Sequence, residues 1–367
     1  MRFVLKTIYE KNGISRADIA RVTHLARPTV STIVQDLIDG NLVVETGLGP
    51  SAGGKPPTLL EVETDAYRML CIDLGSRRFR GALVNLRGEM TSQTQLPALG
   101  CTGDEALSLV YELVDQLVAA SPTPLLGIGI GTPGLVDPRD GMVRQAVNLA
   151  WQRLPLKELL QARYSLPAHV VNDSQAAALG EFTFGAGRDN RNLILIRVGQ
   201  GIGAGIVLDG QPLYGEGFAA GEIGHVVVAE DGPLCSCGNR GCLETVASTR
   251  AFLSAVTVAG SEPAWEDYVA AYEAGDEAAR EQAVRSGRYL GVAIASLISS
   301  LNVHHIVVAG RISQLGEGLL QVAHTEARRR ALPALVDETV LSYSLLGPDI
   351  VIRGAAALVL KHELGVV

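Results

Sequence analysis

No apolar run in this chain is long enough to span a bilayer; the longest, such as GVAIASLI at 291–298, suit buried strands or helices. The opening MRFVLKTIYEKNG is amphipathic and has no small-residue cleavage site, so no secretory signal is read there. A cytoplasmic protein with no membrane partner is expected. No period of 20–50 residues repeats cleanly, which argues against a solenoid or propeller. Cysteine is scarce, five in 367 residues, and an odd count in a cytoplasmic chain argues against a disulfide framework.

Glycine is plentiful, with 41 residues, and points to many tight turns. The chain is 47% hydrophobic and 19% charged, a globular composition long enough for two or three domains. Its net charge of −8 is uneven: residues 1–60 carry +2 and the remainder −10, a basic head on an acidic body.

The head reads as a helix–turn–helix. In ISRADIARVTHLARPTVSTIVQDLIDGNLV (14–43), Ser15 is an N-cap with Asp18 as a short-armed capping box, and Ile19, Ala20 and Val22 supply an apolar face. THL at 23–25 breaks this helix. Pro28 suits an early position in the next, whose buried stripe is Val30, Ile33, Val34, Leu37 and Ile38. Its opposite face carries Arg27, Thr29, Ser31, Thr32 and Gln35, groups that reach base edges and phosphates. The following segment reads as a wing with a basic arm, GGKPP at 53–57, suited to a minor groove. A small helical cap packed on the body is the plain alternative, but the wing and basic tip favour DNA binding. Residues 1–62 resemble the winged helix–turn–helix of ROK-family repressors (repressors, open reading frames and kinases). By that resemblance Arg27, Thr29, Ser31, Thr32, Gln35 and Lys55 are the DNA-contact candidates.

From residue 68 strand-like runs ending in glycine turns alternate with helical stretches, such as 104–120 and 287–302, which is α/β order. The strand–hairpin–glycine pattern recurs near both ends of the body and suits two similar lobes. The segment from Glu262 to Arg285 reads as helical and polar-faced. The most specific motif is GEIGHVVVAEDGPLCSCGNRGCLE (221–244): His225, Cys235, Cys237 and Cys242 make a donor set for a closed, structural Zn2+ site. Its spacing resembles the ROK zinc motif, and the resemblance now covers nearly the whole chain. The fold it implies is a winged helix–turn–helix followed by a two-lobed, actin-like/ribonuclease H-like ATPase-type body of the sugar-kinase kind. The expected lobes are 68–171 plus 350–367, and 172–349 with the zinc site.

VVNDSQAAALGE (170–181) puts Asn172 and Asp173 where a strand gives way to a helix. On the residues alone, Asp173 reads as that helix's N-cap. The family resemblance implies instead a general base that takes a proton from a sugar hydroxyl. It also implies a sugar-contacting set of Asn172, Asp173, Glu222, His225 and Glu244, with Asn148 as a weaker member. Carboxylates and amides suit hydroxyls that both donate and accept. His225 would bind zinc through one ring nitrogen and leave the other for the sugar.

Three nucleotide-binding segments depart from the family's kinases. The first phosphate loop, Asp-x-Gly-Gly-Thr-Lys in those kinases, reads Asp73-Leu74-Gly75-Ser76-Arg77-Arg78. A phosphate cradle needs close backbone amides, which Ser76 and Arg77 obstruct. The second loop, VGQGIGAG, has Gln200 for threonine, and VVAGRIS keeps only Gly310 of the adenosine-side glycine run. The expectation is a sugar-responsive repressor without kinase activity, working as a homodimer or homotetramer on operator DNA, with a sugar or sugar phosphate as effector. The alternative is an ATP-dependent sugar kinase using Asp173.

Overall fold

Three helices open the chain: α1 (Arg2–Lys11), α2 (Arg16–Thr23) and α3 (Arg27–Asp39), with the short strand β1 (Ile14–Ser15) between the first two. These and all later details come from a computed structural model that describes residues 1–50, 56–188, 190–258 and 262–367. Ser15 caps α2 as expected, its Oγ accepting from Asp18 N at 3.2 Å. The Asp18 carboxylate accepts a hydrogen bond from the Ser15 hydroxyl at 2.7 Å, so the return arm of the box lands on the side chain. The expected apolar face needs one correction. Val22 is exposed; the buried position is Thr23, which satisfies its hydroxyl by donating to Ile19 O at 2.6 Å. In α3, Val30, Val34 and Leu37 are buried, while Ile33 and Ile38 are half-buried. Strands β2 (Val43–Leu48) and β3 (Thr58–Val62) form the wing, in a three-stranded sheet of order β1-β3-β2.

The chain divides into two compact units, Met1–Val171 with Ala355–Val367, and Asn172–Gly354. In the first unit, β4 (Arg68–Leu74), β5 (Arg78–Val84) and β6 (Met90–Pro97) form an antiparallel meander. Helix α4 (Gly103–Ala120) follows, then β7 (Leu125–Thr132), parallel to β4. An excursion of three short strands comes next: β8 (Leu135–Asp137), β9 (Met142–Ala146) and β10 (Trp151–Leu154). Helix α5 (Leu156–Tyr164) and β11 (Ala168–Asn172) complete it. The sheet order is β6-β5-β4-β7-β11. Its core is Leu70, Ile72, Val110, Leu113, Val114, Ile128 and Ile130, all fully buried.

The second unit starts with α6 (Asp173–Phe184), then the meander β12 (Leu193–Val198), β13 (Ile202–Leu208) and β14 (Gln211–Pro212). After the cysteine-rich loop come α7 (Leu243–Ala247) and α8 (Thr249–Leu253), then α9 (Trp265–Ala274) and α10 (Glu277–Leu301). The expected single helical stretch over 262–285 is in fact two helices. Gly275 takes φ 88°, a left-handed conformation that ends α9, and Asp276 caps α10 by accepting from Ala279 N at 2.9 Å. Nor is that stretch merely polar: Trp265 and Tyr268 are buried against Phe252. Strand β15 (His305–Ala309), α11 (Glu317–Arg330), α12 (Pro333–Asp337) and β16 (Val340–Tyr343) follow. The sheet order is β14-β13-β12-β15-β16, with β12, β15 and β16 parallel. Strand for strand this is the topology of the first sheet: three antiparallel strands, then two more beyond the first of them.

Helix α13 (Ile350–Val359) and a π-helical turn (Leu360–Leu364) end the chain. Residues 350–354 group with the second unit and not, as expected, with the first. At Gly354 an added Cβ would stand 1.8 Å from Ala176 O, so α13 begins pressed against α6. In the first unit, α1 docks on the lobe: Tyr9 OH donates to Leu86 O at 2.9 Å, and Arg87 donates to Tyr9 O at 2.7 Å with its guanidinium 4.5 Å from the Tyr9 ring centroid. Arg2 donates to His362 O at 3.0 Å, in the terminal π-helical turn.

Candidate functional site

The cysteine-rich loop folds back on itself by two short bridges, Val227 with Cys242 and Leu234 with Arg240. Cys235 N donates to Asn239 O at 2.7 Å, closing a tight turn that carries Cys237. Gly241 is required here: its φ is 68°, and a Cβ would fall 1.5 Å from Ala229 O. The result brings the ligand atoms of His225, Cys235, Cys237 and Cys242 within 4.8 Å of one another. Cys235 Sγ lies 3.6 Å from His225 Nδ1, and Cys237 Sγ lies 3.6 Å from Cys242 Sγ. A tetrahedral ion with metal–sulfur bonds of about 2.3 Å sets edges of roughly 3.5–3.8 Å, which these two separations match, so the four residues could hold one ion. Burial pushes the Cys242 thiol up to about 12, so holding it as a thiolate calls for a cation. Nδ1 is the His225 nitrogen turned to the cluster, which leaves Nε2 outside it.

The carboxylates flanking this cluster are set by the same backbone. Glu222 precedes the short 3-10 turn Ile223–His225, and Glu244 sits in the first turn of α7, two residues after Cys242. Glu244 Oε2 accepts from Ile202 N at 3.3 Å, at the turn joining β12 to β13. The Glu222 carboxyl is lifted above the usual carboxylate range, first by loss of solvent, then by the charges of Asp173 and Glu244, with His225 opposing. Three carboxylates and the His225 ring therefore share one electrostatic neighbourhood within the second unit.

Asn172, and not Asp173, is the cap of α6. Its Oδ1 accepts from Ser174 N at 2.8 Å and Gln175 N at 3.2 Å, because the side chain one residue before the first helical turn is the one that reaches those amides. Asp173 becomes the first helical residue. Its Oδ2 accepts from Arg197 Nη1 at 2.8 Å and its Oδ1 from Ser174 Oγ at 3.3 Å. Arg197 is absent from the expected set, although the sequence shows it as one arginine inside the apolar run LILIRV. Asn148 lies in the first unit, exposed in the 3-10 turn Val147–Leu149.

The segments expected to correspond to the first two phosphate loops are hairpin turns. Asp73 and Gly75 end the β4 side of the first hairpin, while Ser76, Arg77 and Arg78 are exposed at its tip. Strand β5 begins at Arg78, earlier than the apolar run suggests. In the second hairpin Gly199 N donates to Gly201 O at 2.9 Å around an exposed Gln200. The glycines that follow serve packing: a Cβ on Gly203 or Gly205 would meet Ser174 of α6 at 2.6 and 2.3 Å. After β15, Arg311 pairs with Glu266 at 3.1 Å.

On α3, Arg27, Thr29, Ser31, Thr32 and Gln35 are all exposed on the side away from the buried stripe. Thr32 donates to Pro28 O at 3.2 Å, and Gln35 Nε2 is held by Asp39 at 2.8 Å, so Arg27, Thr29 and Ser31 form the more open end. Lys55 lies outside the described residues.

A winged helix–turn–helix ahead of a doubled, sugar-kinase-type body defines a class of DNA-binding regulators. Residues 69–362 match the model of the ROK family and residues 4–44 that of a winged helix-turn-helix DNA-binding domain. The chain belongs to the ROK family. It is 33% identical to the xylose repressor of Caldicellulosiruptor bescii, over 98% of this chain and 95% of that protein. It is also 33% identical to a glucokinase of Halalkalibacterium halodurans, over 80% of this chain and 94% of the kinase. A solved structure of a ROK family transcriptional regulator, described as a homolog of the E. coli MLC protein, superposes with a TM-score of 0.87. It has 32% identity and covers 100% of this chain and 96% of that one.

Proposed function

We propose that this chain is a sugar-responsive transcriptional repressor whose body binds a sugar and does not phosphorylate it. The observation that carries this reading is a mismatch inside one body. The acidic set Asp173, Glu222 and Glu244 is assembled in the second unit, while the phosphate turns carry Ser76, Arg77 and Gln200. The head adds a helix with a polar, exposed outer face, and the relatives named as repressors are matched along almost their whole length. Within the second unit, Asn172 completes the proposed sugar contacts. The His225/Cys235/Cys237/Cys242 cluster is proposed to hold structural Zn2+, which would supply a rigid wall beside Glu222 and Glu244 and no chemistry of its own. Arg27, Thr29, Ser31, Thr32 and Gln35 are proposed to read the operator, with two heads of a dimer on two half-sites.

The sugar acts on DNA binding only as far as it binds the free and operator-bound states differently. The test is fluorescence anisotropy on an operator selected from a random duplex pool, at fixed salt, with D-xylose, D-glucose and N-acetyl-D-glucosamine added. One of them is expected to release the DNA. Failure to select any duplex would overturn the repressor reading.

The kinase reading is kept alive by Asp173 and by the similarity to the glucokinase. It predicts sugar-dependent ADP release that disappears in Asp173→Asn. Our reading predicts none from the unsubstituted protein.

A further inference from the structure

Strand β12 alternates. Ile194, Ile196 and Val198 enter the hydrophobic core of the second unit, while Leu193, Leu195 and Arg197 share the opposite face. That face is covered by α6, because Leu195 and Arg197 stand beside Gly205 and Gly203, which pack against Ser174. A guanidinium at the last inward position of an otherwise apolar face is unfavourable to bury without a partner. Its partner is the Asp173 carboxylate, at 2.8 Å, with side-chain exposures of 28% for Arg197 and 15% for Asp173.

We propose that Arg197 is a positioning residue of the sugar site: it holds the Asp173 carboxylate in a fixed orientation as an acceptor for a hydroxyl of an uncharged sugar. This rests on the sugar-site reading above. Arg197 holds Oδ2 at 2.8 Å and the Ser174 hydroxyl donates to Oδ1 at 3.3 Å, so the carboxylate meets a ligand hydroxyl in a set orientation. The ion pair also sets ligand charge. Glu244 accepts from Ile202 N at the β12–β13 turn, and Arg197, opposite Gly203 in the same hairpin, is already engaged by Asp173; both carboxylates act on Glu222. A phosphate ester would meet three carboxylates, and drawing Arg197 to itself would strip Asp173 of its counter-charge. A neutral ring of hydroxyls meets acceptors it can satisfy.

The test is calorimetric titration of the full chain with D-xylose, D-glucose, N-acetyl-D-glucosamine and glucose 6-phosphate. It uses the unsubstituted protein, Arg197→Leu, Arg197→Lys, Asp173→Asn and the Arg197→Leu/Asp173→Asn double variant, with circular-dichroism melting as a folding control. The unsubstituted protein is expected to bind one neutral sugar and to bind glucose 6-phosphate weaker by on the order of tenfold or more. Arg197→Leu should weaken the sugar about tenfold, and Arg197→Lys should restore part of the loss. In the Asp173→Asn background, removing Arg197 should add little, since it acts through Asp173. Should Arg197→Leu fail to fold, Arg197→Lys in both backgrounds carries the same comparison. Additive losses, or tighter binding of glucose 6-phosphate, overturn the role of Arg197 while leaving a sugar sensor in place. No binding of any of the four to the unsubstituted protein overturns the sugar-site reading itself, and this proposal with it.

Discussion

Asp137 shows how a single buried charge is made stable. Its Oδ1 accepts from Arg139 N at 3.2 Å and Nε at 3.0 Å, and its Oδ2 from the Arg139 and Arg144 guanidinium groups at 2.8 and 3.0 Å. The hydrogen bonds from Arg139 outweigh burial and hold the carboxyl well below the usual carboxylate range. A depressed folded-state pKa contributes stability that is present above the unfolded value of about 3.9 and is lost as pH falls below it. Asp137→Asn should therefore cost about 1–2 kcal/mol at neutral pH. Its melting temperature should also fall less steeply than that of the unsubstituted protein on going from about pH 5 to 3. Thermal melts by circular dichroism across that range check both statements.

At the scale of elements, capping and docking decide how firmly the DNA-reading head is held. Ser15→Ala removes the α2 cap and should destabilise the head by about 1 kcal/mol. Hydrogen exchange should show this in α2 and α3 before any change in the lobes. Helix α1 rests on the terminal turn, where His362 stacks on His169 with ring centroids 4.4 Å apart, and His169 Nε2 meets Glu363 at 2.7 Å. Burial, then the facing charges of His169, Lys361 and Lys157, push His362 down to about 4, with Glu363 opposing. Burial also lowers His169. A histidine with a depressed pKa stabilises the fold fully above its unfolded value of about 6.5 and loses that contribution as pH falls toward the folded value. The amides of α1 should therefore exchange faster at pH 5 than at pH 7, after correction for intrinsic rates. His362→Gln should flatten that dependence.

The elements that were legible in the sequence are those with a strong local signal. Helix α4, the Ser15 cap, the break at His24 and the His/Cys cluster follow from periodicity, turn chemistry and donor spacing. What escaped depends on neighbours distant in sequence. Val22 and Thr23 are adjacent, and only packing decides which faces inward. The glycines of GQGIGAG look like a phosphate loop, yet Gly203 and Gly205 are needed where α6 presses on β13. Arg197 was visible as an anomaly in LILIRV, but its partner lies 24 residues earlier, across a helix–strand contact.

For the whole molecule, the repeated sheet topology puts the two nucleotide-type hairpins at equivalent places, β4–β5 and β12–β13. Ser76 and Arg77 are exposed at the tip of the first, and Gln200 at the tip of the second. Among the described residues no helix is long and apolar enough to cross a membrane. The His/Cys cluster has a consequence at this scale, because its four donors sit between Glu222 and Glu244 in the chain while the exposed face of α3 lies near the N-terminus. Chelation should lower the melting temperature and abolish the sugar response, measured on the same operator fragment, while operator affinity in the absence of sugar changes little. Metal supply would then act as a permit for signalling. A cell starved of the ion would hold a regulator that still occupies its genes and has gone deaf to the nutrient.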